Sequence, residues 1–474
     1  MGRREKDGQV SILRAERRLH TKQSLSEFAR EIGYSPSYLS AVELGYLPIT
    51  PEVTFAYESA LGIKAGSLIP GKVTVGRMLH GITRESRRPA DSSFTMRTLS
   101  GEGKLALYPR RDVLRSMVSL MMEISQTSKG RGEIYVTSQG VTDDFEQHPK
   151  LKEEWDFAMR AALSRGWHIN QLFRLGEDQQ RSLDVIESLF GVLGAPGSYV
   201  PWRMEAAETP SYDLVVIPSV GALLRIDTPN SDQDLALLTR DGPEINALAE
   251  HCRSLMANAT QFIRRIDRDD VLEFERLLAQ IAETPGDTLL VREGLSNFVS
   301  TAGTEEDYAF RRGAGRLTPA EVKELAALRR NVVATSRAQL IRYPHKHIST
   351  KKSVLELLED DAAHCRELIA SMLREMRSHD GLELALLDDS EVRLLQPAED
   401  KSVVYWLVKE GSTTLLETWP VTSDAGVMHI HVAINSQAVA GAFASHFRNL
   451  WNRISPRNRD KSYVIWWLER LLEE

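Results

Sequence analysis

The stretch GYSPSYLSAVELGY, residues 33–46, decides the fold of the N-terminal part of the chain. Gly33 ends a preceding helix, because glycine enters the left-handed backbone conformation at little steric cost. Ser35 supplies the cap of the next helix. Pro36 suits the first turn, where the amide that proline lacks would have no helical partner. The stretch therefore predicts a sharp turn followed by a new helix.

The segment before this turn predicts a second short helix. Ser24 and Glu27 have the spacing of a capping box, in which each side chain accepts a hydrogen bond from the backbone amide of the other residue. The sequence LSEFAREI, residues 25–32, then places apolar residues at helical spacing. Two short helices joined by a glycine-containing turn form a helix-turn-helix.

The second helix of this pair buries Leu39 and Val42 and leaves small polar residues at its amino-terminal end facing outward. A helix that enters the major groove of DNA presents this end to base edges and phosphates. Small side chains permit close approach, and hydroxyls and helix amides bind phosphate oxygens. The pattern therefore favours binding to double-stranded DNA; a helix-turn-helix used for protein contact is the alternative.

Residues 10–70 resemble the Cro/phage-repressor type of helix-turn-helix. The matching stretches are Leu13-Arg14-x-x-Arg17, Ser24 to Ser35, Tyr38 to Gly45 and Pro51 to Ile63. One departure is Leu25, where the family often has glutamine. The resemblance implies a transcription regulator in which Glu43 holds the helix pair together. It also implies a set of DNA-contacting residues: Ser35, Ser37, Tyr38 and Ser40 toward the DNA, and Arg14, Arg18, Lys22 and Ser24 on its backbone.

The charge distribution agrees with a local polyanion contact. The chain of 474 residues has a net charge of −7, but residues 1–24 hold seven Lys/Arg against three Asp/Glu. Residues 71–111 hold nine against three, which leaves −17 for the rest of the chain. Two basic segments on an acidic protein indicate a localised partner such as DNA. Solvated faces and an ordinary linker are the alternative explanation.

Composition excludes several classes of protein. No run of eighteen apolar residues occurs, so we expect no membrane-spanning helix. The amino-terminal MGRREKDGQV is charged and lacks a following apolar region, so we expect no signal peptide and a cytoplasmic location. Cys252 and Cys365 are the only cysteines, which excludes a disulfide framework and a four-cysteine zinc site.

The rest of the chain shows signs of an internal duplication. ALAEHCRSLM, residues 247–256, and AFASHFRNLW, residues 442–451, share five of ten residues. Paired apolar strand patterns precede both, at residues 213–226 and 402–417. Strand–helix–strand patterns within this part predict a mixed α/β layer. We therefore predict two related α/β copies.

The order of strands and helices in this part resembles phospholipase-D-like domains. Catalytic members of that family carry a His-x-Lys-x-x-x-x-Asp motif, which is absent from this chain. The resemblance therefore implies a degenerate, non-catalytic domain, and some transcription regulators use such a domain as a sensor.

Histidines are the remaining candidates for chemistry. His429 and His431 alternate along a predicted strand and so share a face, but no third metal ligand lies near them in sequence. The sequence YPHKHISTKK, residues 343–352, predicts a basic loop around His345 and His347. We assign no catalytic residue, no metal and no cofactor.

These observations predict a multidomain protein that is not an enzyme. The expected domains are a helix-turn-helix over 1–70, a linker over 71–104, an α/β copy over 105–270, a helical connector over 271–350 and a second α/β copy with a C-terminal helix over 351–474. We expect a homodimeric regulator that responds to a small-molecule or protein effector. The alternatives are an enzyme acting on a phosphodiester or nucleotide, and a protein–protein adaptor.

Overall fold

The computed structural model divides the chain into two compact units, residues 1–78 and residues 79–474, the second of which we call the body. The predicted residues Arg18 and Lys22 and nearly all of the predicted linker 71–104 lie outside the residues that the structure describes. The described residues are 13–14, 17, 21, 23–43, 51–62, 103–126, 132–138, 144–145, 147–175, 179–195, 197–204, 212–228, 231–267, 269–292, 294–296, 298, 305–313, 316–392, 394–395, 405–423 and 426–473.

The N-terminal unit is helical, as predicted. Its described helices are α1 (Leu25–Glu31), α2 (Pro36–Glu43) and α3 (Pro51–Ala60). They enclose a small core, to which Phe28 and Tyr57 contribute an edge-to-face ring pair with centroids 4.9 Å apart. The other fully buried members of this core are Leu13, Ala29, Leu39, Val42 and Val53.

The body contains two mixed sheets, which confirms the predicted α/β class. The first half comprises β1 (Ala106–Pro109), α4 (Arg110–Gln126), β2 (Glu133–Ser138), α5 (Pro149–Ser164), β3 (His168–Arg174), α6 (Gln179–Leu193), β4 (Ser198–Met204), β5 (Asp213–Ile217), β6 (Gly221–Ile226), β7 (Gln233–Thr239), α7 (Gly242–Ala257) and β8 (Thr260–Gln261). The strands lie in the order β1-β7-β6-β5-β2-β3-β4-β8. Strands β2, β3 and β4 are parallel, and the other pairs are antiparallel.

The second half forms the other sheet. It comprises β9 (Ile263–Asp267), α8 (Val271–Glu283), β10 (Thr288–Val291), α9 (Glu305–Gly313), α10 (Pro319–Gln339), β11 (His345–Thr350), α11 (Lys351–Asp360), α12 (Ala362–Ser378), β12 (Leu382–Leu387), α13 (Asp389–Val392), β13 (Trp406–Lys409), β14 (Thr413–Ser423), β15 (Gly426–Asn435), α14 (Gln437–Arg453), a 3-10 helix (Arg457–Arg459) and α15 (Lys461–Glu473). The strands lie in the order β12-β11-β10-β13-β14-β15-β9.

The two sheets share one strand arrangement. Starting from β9, the second sheet has an antiparallel edge strand, a three-stranded antiparallel meander and three parallel strands. The first sheet has the same arrangement from β1 to β4 and adds the short antiparallel strand β8 at its far edge. The helices that carry the two similar ten-residue stretches, α7 and α14, each follow the last meander strand. This correspondence supports the duplication, which stays a prediction.

The structure differs from the predicted boundaries in the middle of the body. The predicted connector over 271–350 contains β10 and β11, which lie inside the second sheet, and β9, predicted within the first copy, pairs with β15 of the second sheet. The sequence signal is weak here because β10 has only four residues and β11, HKHIST, has a single apolar residue, Ile348. A segment that is buried between two neighbouring strands can form a strand even when its local sequence does not favour one.

Helices cover both faces of each sheet. In the first half, α4 and α5 pack on one face and α7 on the other. In the second half, α8, α10, α12 and α15 share one apolar core with the sheet. Val464, Leu468 and Leu471 of α15 lie in that core, so the C-terminal helix docks on its own domain. Across the part of the chain that the structure describes, no helix combines the length and apolarity needed to cross a bilayer.

Candidate nucleic-acid interface

The first helix of the pair begins with the capping box that the sequence predicts. The hydroxyl of Ser24 accepts a hydrogen bond from the amide of Glu27 at 3.3 Å, and the Glu27 carboxylate accepts one from the amide of Ser24 at 2.8 Å. The same carboxylate accepts from the Ser24 hydroxyl at 2.7 Å. Hydrogen bonds from the Ser24 side chain and then its backbone lower the pKa of Glu27. The box thus fixes where α1 starts.

The turn between the helices follows the predicted chemistry. Gly33 has a φ of +78°, in the left-handed region that glycine favours. The amide of Tyr34 then donates to the carbonyl of Ala29 at 2.9 Å. The hydroxyl of Ser35 accepts from the amide of Tyr38 at 3.2 Å, which confirms Ser35 as the cap of α2.

The outer face of α2 is polar, as its pattern predicts. Leu39 and Val42 are fully buried, whereas Ser35 and Ser37 are exposed. Tyr38 and Ser40 are half-buried. The first turn of α2 therefore offers hydroxyls and helix amides to a ligand while its other face anchors the helix.

A buried ion pair joins α2 to the segment before α1. The Arg17 guanidinium donates to the Glu43 carboxylate at 2.7 Å from Nε and 3.0 Å from Nη2. The hydroxyl of Tyr57 donates to the same carboxylate at 2.9 Å. Bonding to Glu43 raises the pKa of Arg17, and burial followed by the Glu43 charge raises the pKa of Tyr57. Glu43 thus ties α2 to the segment before α1 and to α3. That it holds the helix pair α1 and α2 together, as the resemblance implies, stays a prediction.

Sequence reasoning missed two tyrosines of this unit. Tyr57 lies fourteen residues from Glu43 along the chain, and no local pattern links them. Tyr34 stacks on Tyr38, with ring centroids 5.6 Å apart and planes inclined by 14°. The only signal for this stack is the spacing of four residues across the turn. Tyr34 therefore belongs beside Tyr38 in any account of the exposed face.

Of the four residues predicted to contact the DNA backbone, Arg14 and Ser24 lie within the described residues. Arg14 is half-buried, and Ser24 is exposed but uses its hydroxyl in the capping box. Arg18 and Lys22 lie outside the described residues. Leu25, at the position where the family often has glutamine, packs partly against the core. The structure therefore brings Ser35, Ser37, Tyr38 and Ser40 onto one helix, while the second group stays a prediction.

The N-terminal part of the chain is similar to a known family of domains. Residues 13–68 match the family model described as helix-turn-helix. These residues form a helix-turn-helix domain of the Cro/phage-repressor type. The match supports DNA-binding transcription regulation for the N-terminal part of the chain. Among curated proteins, none matches the sequence.

Three solved structures are similar to longer parts of the chain. The archaeal chromatin protein TrmBL2, described as showing a novel mode of DNA binding, is 15% identical over 45% of this chain and 60% of its own, with a TM-score of 0.24. This chain thus covers about 60% of the length of that protein. Polyphosphate kinase from Porphyromonas gingivalis is 11% identical over 73% of this chain and 48% of its own, with a TM-score of 0.22.

The third structure is phosphatidylserine synthase from Haemophilus influenzae Rd KW20. It is 9% identical over 79% of this chain and 92% of its own, with a TM-score of 0.25. TM-scores this low leave the phospholipase-D-like resemblance of the body as a prediction.

The histidine candidates of the body have a different environment from the one predicted. His345 and His347 lie on the buried strand β11, not in a basic loop. Burial, and then the charge of Lys409, lowers the pKa of His345 to about 3. Burial also lowers the pKa of His347 well below its usual range. Both imidazoles are therefore neutral at physiological pH.

The His-x-His pair on β15 lies on a strand, as predicted. His431 is buried, with its ring 4.1 Å from that of Phe274, and the side chain of His429 lies outside the description. Within the described ranges, no group of three or more His, Cys, Asp or Glu side chains could hold a metal ion. The sequence predicts that the body has no enzymatic activity, and this stays a prediction.

Proposed function

We propose that this protein is a sequence-specific DNA-binding transcription regulator. Its helix α2 enters the major groove, with Ser37, Tyr38 and Ser40 toward the bases and phosphates and Ser35 at the leading end. Arg14, Arg18, Lys22 and Ser24 contact the DNA backbone. The observation that carries this proposal is the polar, exposed first turn of α2 on a helix whose other face is fixed in the core.

The mechanism of contact follows from the chemistry of that turn. The first amides of a helix have no partner inside the helix and carry the positive end of its dipole, so they bind phosphate oxygens. The capping bond from Tyr38 to Ser35 uses one of these amides and orders the turn. Hydroxyl groups such as that of Ser37 donate to phosphates or accept from bases, and their small size lets the helix approach closely.

We propose further that the body assembles a homodimer and senses an effector. Helix-turn-helix proteins bind two half-sites about one helical turn apart, so a dimer matches a two-fold symmetric operator. An effector, either a small molecule or a protein, would shift the body between two arrangements. Its influence on DNA binding equals its difference in affinity for the two arrangements.

Selection of the full-length protein against a random duplex DNA pool, at two salt concentrations, tests the proposed function. We expect enrichment of one motif in two copies, and an affinity that falls as salt rises because counterions are released from the phosphates. Ser37→Glu places a negative charge against the DNA and should weaken binding to the enriched motif by at least about tenfold, or 1.4 kcal/mol.

The matched control is Ser59→Glu. Ser59 is also exposed, but it lies near the end of α3, so the same charge change should leave the affinity within about twofold of the wild type. A pool without any enriched motif, or equal effects of the two substitutions, would refute the proposal. Sedimentation of the complex with the enriched site decides between one and two protein chains per operator.

A further inference from the structure

A short basic loop near the end of the chain stands out from the acidic body. Helix α14 ends at Arg453 and α15 begins at Lys461, with the 3-10 helix Arg457–Arg459 between them. Residues 453–461, which we call the C-terminal basic loop, hold four Arg/Lys and one Asp in a chain whose net charge is −7. Arg453 and Arg457 are exposed and Arg459 is half-buried.

Aromatic rings on α15 support this loop. The guanidinium of Arg457 lies 4.4 Å from the ring centroid of Tyr463, and that of Arg470 lies 5.5 Å from the ring of Trp466. The two rings are 5.5 Å apart, and Trp466 is 46% exposed. Cations and rings therefore form one row along the surface of α15. A guanidinium stacked on a ring loses little further freedom when its N–H groups bind an anion.

The loop arginines make no ion-pair contact within the part of the chain that the structure describes. Among the described residues, no carboxylate lies within ion-pair distance of Arg453, Arg457 or Arg459, although nearby arginines such as Arg448 do pair with Glu410. The single acidic side chain of the loop, Asp460, accepts the amide of Tyr463 at 2.8 Å and thereby caps α15. Lys461 pairs with Asp380 at 3.8 Å, and Asp388 interacts electrostatically with Arg457 without an ion-pair contact. The guanidinium groups of the three loop arginines are thus available to a partner.

We propose that the C-terminal basic loop and the aromatic row behind it bind the phosphate backbone of duplex DNA. Arginine forks match phosphate oxygens, and a cluster of them on an otherwise acidic surface gives a local rather than a general attraction. The inference goes beyond the proposed function, because it assigns a second DNA-contacting surface outside the helix-turn-helix. This surface contacts phosphates only, so it adds affinity and salt dependence without sequence preference.

Duplex DNA fits better than single-stranded DNA or an acidic protein. Single strands bind largely by stacking bases on open aromatic faces. Here the rings of Tyr463 and Trp466 already contact each other and the two guanidinium groups. The groups that remain for a partner are the guanidinium N–H donors of Arg453, Arg457 and Arg459, whose best match is a regular array of phosphates.

The test uses the full-length protein with Arg453, Arg457 and Arg459 all changed to Gln. The control carries Lys323→Gln, Arg342→Gln and Arg366→Gln, which remove three exposed charges from α10, the segment after it and α12. Binding to a mixed-sequence DNA duplex is measured over a range of salt concentrations. The loop variant should reduce the slope of log affinity against log salt by about 2 to 3, because each lost phosphate contact contributes about 0.9. The control should change the slope by less than about 1.

Repeating both variants in a Ser37→Glu background separates this inference from the proposed function. If the wild type enriches no motif but the loop triple still lowers duplex affinity, the helix-turn-helix proposal fails and this one stands. If the loop triple and the control behave alike in both backgrounds, the basic loop does not bind DNA. The assignment to duplex DNA would also be overturned if the full-length protein bound a single strand or polyglutamate through the loop as tightly as it binds the duplex.

Discussion

Arg17 and Glu43 form a buried, two-pronged ion pair across 26 residues of sequence, with hydrogen bonds of 2.7 and 3.0 Å. The pair ties the segment before α1 to the end of α2, so it fixes the angle at which the exposed turn of α2 is presented. Tyr57 adds a third donor to the same carboxylate. The orientation of the candidate DNA-binding helix therefore depends on one buried charge cluster.

Replacing only one partner of this ion pair should lower the free energy of unfolding far more than replacing both. Arg17→Met leaves the Glu43 carboxylate buried with only the Tyr57 hydroxyl, and we expect a loss of about 3–5 kcal/mol. In the double variant Arg17→Met with Glu43→Leu, no charge stays buried, and the loss should be small. Hydrogen exchange of the α2 amides in the full-length protein measures the difference. Equal protection in the single and double variants would contradict it.

The stack of Tyr34 on Tyr38 should control how the ring of Tyr38, on α2, is presented to DNA. Tyr34→Leu removes the aromatic contact, and we expect about a 2- to 12-fold loss of affinity for the selected operator, since aromatic pairs contribute about 0.5–1.5 kcal/mol. Tyr34→Phe keeps the stack and serves as the control. In a Tyr38→Ala background the effect of Tyr34→Leu should vanish; an unchanged effect would show that Tyr34 acts independently of Tyr38.

The helix-turn-helix was predictable because its signals are local. The Ser24–Glu27 box, the positive φ of Gly33 and the cap at Ser35 each act within four residues, so the sequence displays them directly. The contacts of Tyr57 and Tyr34 could not be predicted in the same way. They depend on how helices approach one another, which the spacing of apolar residues does not specify.

The body was predictable in class but not in strand assignment. Long amphipathic helices such as α12 and apolar strands such as β12 give the clear local signals from which an α/β class is predicted. Strand β11 contains His345, Lys346 and His347, a composition that local preference assigns to a loop. Its place between β10 and β12 makes it a strand, because backbone pairing and burial override local preference.

Arg225 should be the residue of the first sheet that is least tolerant of substitution. Its fully buried guanidinium contacts Asp234 at 2.7 Å and Asp213 at 3.2 Å, and it also bonds to Asp144. Arg225→Met removes a buried cation from three buried carboxylates, two of which, Asp144 and Asp234, also bond to Arg110. We expect a loss of at least about 4 kcal/mol in urea unfolding of the full-length protein. The control is Arg240→Met, whose pair with Glu123 is partly exposed and should cost about 1 kcal/mol or less. Similar losses for both variants would count against this ranking.

Lys409 should make the free energy of unfolding of the body depend on pH in the alkaline range. Its buried ammonium donates to Thr288 at 3.2 Å and to Gln339 at 2.5 Å, and burial lowers its pKa to about 8 from 10.5. The charged form is thus disfavoured in the folded protein. The groups around it are Asp287, whose charge opposes the lowering, the neutral His345, and the ring of Tyr343 at 5.9 Å.

Because the unfolded chain keeps this proton up to pH 10.5 while the folded protein loses it near pH 8, the free energy of unfolding should rise between these values. A shift of this size corresponds to about 3 kcal/mol. Other groups also titrate in this range, so the informative quantity is the difference between wild type and Lys409→Met in urea unfolding. The advantage of the methionine variant should be largest below pH 8 and should shrink as the pH rises. A difference that stays constant with pH, as expected for the exposed control Lys323→Met, would show that Lys409 keeps an ordinary pKa in the folded protein.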